Sequence, residues 1–264
     1  MRVDLHNHTP FCKHASGSPS EFIDRAKELG VDVYGFSCHA PMKFDEAYRM
    51  SSDELESYFA QIAEIQERER GKIEVLCGLE VDFIKGKESL LEERVLQASV
   101  DYLIGSVHFL DTWGFDNPAF IAEYARRDMV CCWREYLGAI KAMADSGLFQ
   151  IAGHLDLLKV FGYTMPDCVS EELDSALASI AKAQMSIEIN SAGLRKTIAQ
   201  AYPSKEILSR AFAYKIPITF SSDAHSIEQV GAGYEQCLEL AKEVGYTECV
   251  IYRKKRAITL QLKG

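Results

Sequence analysis

The sequence predicts a parallel α/β fold, closed as a barrel or open as a doubly wound sheet, and three observations predict it. Seven short β-rich runs alternate with helix-like stretches along the chain. No composition shift, proline-rich linker or internal repeat interrupts that alternation, so one domain over 1–264 is expected. Six of the seven histidines fall at or just beyond the C-terminal end of a predicted strand. In parallel α/β folds that edge gathers the βα-loops and carries the active site.

The elements follow in order. RVDLH reads as the first strand, and SPSEFIDRAKELG, opening on Ser-Pro and closing on Gly, as the first helix. VDVYGFS is the second strand, followed by the long amphipathic stretch SSDELESYFAQIAEIQERERG. IEVLCGLEVDF and YLIGSVHF are the third and fourth strands, with the helix WREYLGAIKAMADSG after them. FQIAGHL, MSIEIN and IPITFSSD complete the seven, separated by SEELDSALASIAKAQ and SKEILSRAFAYK. Beyond Gly245, YTECVIYRKKRAITLQL predicts two more short strands around a basic turn. That RKKR run is read as a solvated turn and not as a nucleic-acid patch, because the whole chain is acidic.

Composition narrows the function. Twenty-nine basic against 39 acidic residues give a net charge of −10, which opposes binding to nucleic acid or anionic membranes and favours a small-molecule substrate. No apolar run approaches the roughly 18–20 residues of a membrane span, and MRVDLHNH lacks signal-peptide regions, so a cytoplasmic protein is expected. The cysteines at 12, 38, 77, 131, 132, 168, 237 and 249 form no CxxC pair and suit reduced thiols. GxGxxG, GxxxxGK[ST] and GxSxG are absent, which removes the usual marks of dinucleotide, P-loop and serine-hydrolase chemistry.

The histidines carry the chemistry. His6 and His8 end the first strand, His14 follows in its loop, and His39 ends the second. His108, His154 and His225 close GSVHF, IAGHL and FSSDAH. Residues i and i+2 of a strand share a face, so His6 with His8, Glu80 with Asp82, and Asp223 with His225 can each aim two groups inward. Glu80 lies between apolar Leu79 and Val81, where an unpaired carboxylate is costly and a metal partner reasonable. Imidazoles with carboxylates match Zn²⁺, Mn²⁺ or Fe²⁺ in a catalytic site. A single strand-end histidine is more often structural; their convergence favours metal. Cys12, though flanked by histidines, reads as a bystander.

DLHNHT, His14, SCHAP, GLEVDF, GSVHF, GHLDL, EINSAGLRK and FSSDAH together resemble the PHP (polymerase and histidinol phosphatase) family over nearly the whole chain. GSVHFLDTWGFD resembles its histidinol-phosphatase branch. The resemblance implies a distorted (β/α)7 TIM-like barrel, in agreement with the seven strands counted independently. It also implies three divalent metal ions (Zn, Mn or Fe). One would be held by His6, His8, Glu80 and Asp223, a second by bridging Glu80 with His108 and His154, and a third by His14, His39 and His225. Asp4 is expected to orient a histidine ring by a hydrogen bond.

The implied reaction is hydrolysis of a phosphomonoester, L-histidinol phosphate in histidine biosynthesis, by a hydroxide bridging two metals, with Glu80, Asp223 and His225 as catalytic residues and Asp223 or a metal-bound water handling the leaving-group proton. Arg195, with Lys196 as a weaker neighbour, and Lys159 are the candidate phosphate-binding cations. A substrate amine and imidazole ask for a carboxylate and an aromatic wall, which Asp111, Trp113, Phe115 and Asp116 can supply, with Phe161 or Tyr163 adding to the wall. A monomer or small homo-oligomer is expected. The rival readings are a broader phosphoesterase on the same metals, an amidohydrolase-type barrel, and a non-catalytic PHP module. The last predicts broken ligand positions, and none is broken here.

Overall fold

The structure, a computed structural model, describes residues 1–262; of the domain expected over 1–264, residues 263 and 264 lie outside the described residues. All seven predicted strands form one parallel sheet, and the C-terminal pair is also present. The sheet strands are β1 (Val3–Asp4), β2 (Val33–Phe36), β3 (Glu74–Asp82), β4 (Tyr102–Ser106), then, after a small ribbon of β5 (Phe109–Leu110) and β6 (Trp113–Gly114), β7 (Ile151–Ala152), β8 (Ser186–Asn190) and β9 (Ile218–Ser221). Their spatial order is β1-β2-β3-β4-β7-β8-β9. Closure follows from bonds between the two ends: the Leu5 N–H donates to Phe220 O at 2.9 Å, Asp223 N–H to His6 O at 2.7 Å and His8 N–H to Ala224 O at 2.9 Å. The sheet is therefore a seven-stranded α/β barrel of the TIM type.

Seven α-helices are described, besides short 3-10 segments: α1 (Pro19–Glu28), α2 (Leu55–Arg68), α3 (Glu93–Leu96), α4 (Met129–Asp145), α5 (Ser170–Lys182), α6 (Lys205–Ala213) and α7 (Tyr234–Val244). Ser18 and Glu21 cap α1 reciprocally, the Ser18 N–H donating to Glu21 at 2.7 Å and the Glu21 N–H to Ser18 at 3.3 Å. The α4 helix begins four residues before the predicted Trp133, because Asp128 accepts from the Val130 and Cys131 N–H groups. Among the described residues no helix is long and apolar enough to cross a membrane.

Inside the barrel Tyr102 reaches across from β4 and donates its hydroxyl to Leu5 O at 2.6 Å. Room for it comes from two glycines: a Cβ on Gly35 would stand 1.9 Å from the Tyr102 hydroxyl, and one on Gly78 2.4 Å from its ring. The C-terminal hairpin of β10 (Glu248–Arg253) and β11 (Arg256–Gln261) lies across the opposite end from the histidines. Its Tyr252 hydroxyl bonds Gln150 O at 2.9 Å and Ser186 Oγ at 3.0 Å, and Arg253 pairs with Glu74 at 2.6 Å, all at the beginnings of strands. The basic turn is thus docked on the barrel's own acids and carbonyls, Lys255 donating to Leu96 O at 2.9 Å.

Candidate metal centre

At the other end the strand termini bring the histidines to one floor. Glu80, fully buried on β3, stands at its centre and divides them between its two oxygens. Oε2 lies 3.2 Å from His6 Nε2, 3.6 Å from His8 Nε2 and 3.0 Å from His39 Nδ1. Oε1 lies 3.0 Å from His154 Nε2 and 3.5 Å from His108 Nε2. Asp223 adds Oδ1 at 3.2 Å from His8 Nε2. It adopts φ +51°, a left-handed turn that Asp tolerates better than most side chains, two residues beyond the end of β9.

Two tight donor sets result, His6 with His8 and Glu80, and Glu80 with His108 and His154. Beside them the His225 ring stacks on His8 at 3.9 Å and lies 4.6 Å from His14, while the His14 and His39 rings are 5.4 Å apart. The tight groupings here, among the described residues, are His8 with His39 and His225, Cys12 with His14 and His225, and His8 with Cys12 and Cys38; the expected set of His14, His39 and His225 is not one of them. Cys12, which sequence reading set aside, therefore stands within reach of this part of the centre.

Hydrogen bonding leaves this cluster incomplete. His6 Nε2, both nitrogens of His8, His39 Nδ1, His154 Nδ1 and His225 Nε2 are buried without a hydrogen-bond partner. Unpaired buried nitrogens facing carboxylates are costly unless a cation joins them. The donor set of imidazole nitrogens and carboxylate oxygens fits divalent transition ions.

Several rings are fixed from behind. His6 Nδ1 is 2.9 Å from Glu188 Oε2, His14 Nδ1 2.8 Å from Cys12 O, and His225 Nδ1 3.2 Å from Asp223 O; His108 Nδ1 bonds Asp82. Each such bond spends Nδ1 and leaves Nε2 free to face the centre. Electrostatics agree with a site built for positive charge. Burial pushes the Glu80 carboxyl up, yet His6, His39 and His108 together hold it well below the usual range. Burial opposes the charged form of His108, but Asp82 and Glu80 raise it to about 10. Burial and the neighbouring His8 drive His225 well below an ordinary imidazole.

A cleft of about 530 Å³ opens above this floor, lined by His14, His39, Glu80, His108, His154, Asp223 and His225 among others. Arg195 and Lys196 line it too, Arg195 Nη2 donating to Ser222 O at 2.7 Å. Lys159 does not. Its ammonium is buried, 2.8 Å from Asp156 Oδ2 and 2.9 Å from Ala201 O, so its charge is already matched and it is neither a phosphate ligand nor a surface lysine. Of the four predicted substrate-pocket residues only Asp116 lines the cleft. Asp111 is exposed and paired with Lys87 at 2.7 Å. Trp113 and Phe115 are buried in an aromatic cluster with Tyr124 and Tyr136. Phe161 and Tyr163 pack against Tyr124, outside the lining. Phe109, Phe120, Tyr48 and Tyr202 supply the aromatic lining instead.

Asp4 also departs from expectation. Its carboxylate accepts from Ser222 N at 2.9 Å, Ser222 Oγ at 2.6 Å and Asn7 Nδ2 at 3.1 Å, and touches no histidine ring. The residues that do orient rings are Glu188 and Asp82, and Asp82 is held in turn by the buried Arg49, 2.8 Å away. Asp82 was visible as the i+2 partner of Glu80. Glu188 was readable only as the acidic residue in the apolar run SIEIN, and Arg49 gave no sequence signal.

Fold and site together define a metal-binding barrel of one family: the chain belongs to the PHP domain family, whose model matches residues 4–192, with the PHP-associated model matching residues 205–242. Within it the chain stands in the histidinol-phosphatase branch. It is 39% identical over 244 residues to a probable histidinol-phosphatase of Deinococcus radiodurans, covering 92% of this chain and 93% of that protein. To the histidinol-phosphatase of Bacillus subtilis it is 30% identical over 269 residues, covering 90% and 99%. The histidinol phosphate phosphatase of Lactococcus lactis, solved with zinc, L-histidinol and phosphate, shares the fold with a TM-score of 0.85 at 21% identity, over 97% of this chain and 98% of that one.

Proposed function

We propose that the protein is a metal-dependent phosphomonoesterase that hydrolyses L-histidinol phosphate to L-histidinol and phosphate, using three divalent ions. The observation that carries this reading is the division of the histidines between the two oxygens of Glu80 on the floor of a cleft that Arg195 also lines. His6, His8, Glu80 and Asp223 would hold one ion, Glu80, His108 and His154 a second, and His14, His39 and His225 a third. When bound, such ions neutralise phosphoryl charge and make hydroxide available at neutral pH. The residues do the rest. Glu80, with one oxygen toward His6 and the other toward His154, would serve both inner positions. Arg195 holds phosphate oxygens from the side of the cleft, its guanidinium fixed by the Ser222 carbonyl. Asp223, its Oδ2 kept in place by Asn190 Nδ2 at 3.2 Å, would handle the leaving-group proton, passing to the departing alkoxide the proton that the attacking water gives up. Asp116, with Phe109 and Phe120, faces the amine and imidazole of the leaving alcohol.

The reading is tested by phosphate release from L-histidinol phosphate against p-nitrophenyl phosphate, sugar phosphates and short oligonucleotides, with metals counted per chain. A preference for another substrate overturns the substrate assignment, and fewer than three strongly held ions after reconstitution overturns the three-ion assignment. Arg195→Met should raise KM for the phosphate ester by about tenfold or more, the value of a charge-assisted contact, with metal content unchanged. Unaltered kinetics would remove Arg195 from the site.

A further inference from the structure

Glu188 on β8 is fully buried and does not line the cleft, yet it touches the centre from below at several points. Its Oε2 lies 2.9 Å from His6 Nδ1. Its Oε1 accepts from the main-chain N–H of His154 at 2.7 Å and from Asn190 Nδ2 at 2.9 Å. Asn190, two residues on and so on the same face of the strand, passes the contact outward. Its Nδ2 also reaches Asp223 Oδ2 at 3.2 Å, and its Oδ1 accepts from the Ala192 N–H at 2.8 Å, at the start of the turn that carries Arg195. One carboxylate and one carboxamide thereby connect His6 from the first strand, His154 from the fifth in space, and Asp223 from the last.

Among the described residues the ion pair of Glu188 is with His6, and no lysine or arginine pairs with it. A buried carboxylate whose charged neighbour is a histidine and not a lysine or arginine is an expensive choice for a purely structural element, and a barrel needing only a strut there would do as well with a neutral side chain. Facing a metal ligand, the same charge has a use. An acceptor at Nδ1 places the ring proton there, leaves the Nε2 lone pair pointing at Glu80 and Asp223, and makes that nitrogen more basic.

We propose that Glu188, seconded by Asn190, is the positioning residue of the ion position formed by His6, His8, Glu80 and Asp223. It sets the tautomer and basicity of His6 and ties that ring to His154 and Asp223. The inference rests on the metal-centre reading above. It also orders the ions: Glu188 touches the ring of His6 but only the backbone of His154, so its loss weakens the His6 position first.

Glu188→Gln keeps the shape and removes the charge. Zinc-loaded wild type and variant are mixed with EDTA, zinc remaining per chain is followed in time, and melting temperatures are taken before and after stripping. The variant should bind one of its zinc ions about 10–100-fold more weakly, the usual cost of losing such a partner, and release it correspondingly faster. The melting temperatures of the stripped forms measure separately what the Glu188–His6 pair contributes to the metal-free fold, and kcat should fall with KM within about twofold. Glu188→Asp should recover part of the zinc retention, and it carries the comparison if the Gln variant does not fold. Wild-type zinc retention in a variant whose stripped form melts lower would overturn the proposal and make Glu188 a strut. Zinc loss is read without substrate. A wild type inactive on L-histidinol phosphate would therefore sink the substrate reading and leave this comparison standing.

Discussion

His108 has Asp82 behind it and Arg49 behind Asp82, a line of alternating charge that ends in the cleft wall. Asp82→Asn should lower zinc affinity at the Glu80, His108 and His154 position by about 10–100-fold; competition against a chromophoric chelator reads it, and unchanged affinity would show that the ring needs no such support. The same residues set a pH dependence. In the metal-free chain His8 sits at about 9 and His108 at about 10, above the ordinary imidazole value. Raised values stabilise the metal-free fold fully below an unfolded pKa of about 6.5, and that contribution is lost as pH rises through 9 to 10. Zinc binding runs the other way, because the ion displaces those protons. Zinc uptake near pH 7.5 should therefore release protons, seen as a buffer-dependent binding enthalpy; an enthalpy independent of buffer contradicts this. At this scale the sequence was legible where spacing fixed a direction, as for His6 and His8. It was not legible for Lys159: Asp156 stands three residues before it in HLDLLK, but that spacing does not say that the ammonium is buried, which depends on the distant Ala201 carbonyl as well.

Strands were easier to read than the connections between them. Seven β-rich runs and their order of alternation suffice for a parallel barrel, and helices opening on Ser announced their own starts. The α7 helix was not singled out, for it enters from Gly233 without a side-chain cap. In FLDTWGFD the aromatic residues Trp113 and Phe115 were expected in the substrate pocket, and their rings lie together, 6.1 Å apart, away from it. Whether the pair meets the cleft or the aromatic cluster depends on how two later elements fold back over it, the 3-10 segment Pro118–Arg126 with Tyr124 and α4 with Tyr136. The barrel interior makes a sharper prediction. A methyl group on Gly78 would fall 2.4 Å from the Tyr102 ring, so Gly78→Ala should destabilise the fold by about 1–3 kcal/mol or more. Pairing it with Tyr102→Phe should relieve little, because the clash is with the ring itself. A denaturant midpoint equal to wild type would show that the interior is looser than these distances imply.

Over the whole molecule, chemistry and support occupy opposite ends: the ligands gather where strands finish, and the β10–β11 hairpin covers where they begin. Chelation should thus cost stability at the open end. With free zinc 1,000-fold above its dissociation constant, removing one ion corresponds to about 4 kcal/mol, visible as a lower melting temperature after EDTA and its recovery on adding zinc back. No change would mean that zinc does not distinguish folded from unfolded chain. The closure of β1 against β9 has a temporal meaning as well. His6 and Asp223 would share one ion position in the proposed centre although 217 residues separate them, so a growing chain holds only fragments of that centre until its last barrel strand has been made. Metal capture then marks completion: the ion is bound at full strength only by a chain whose beginning has met its end.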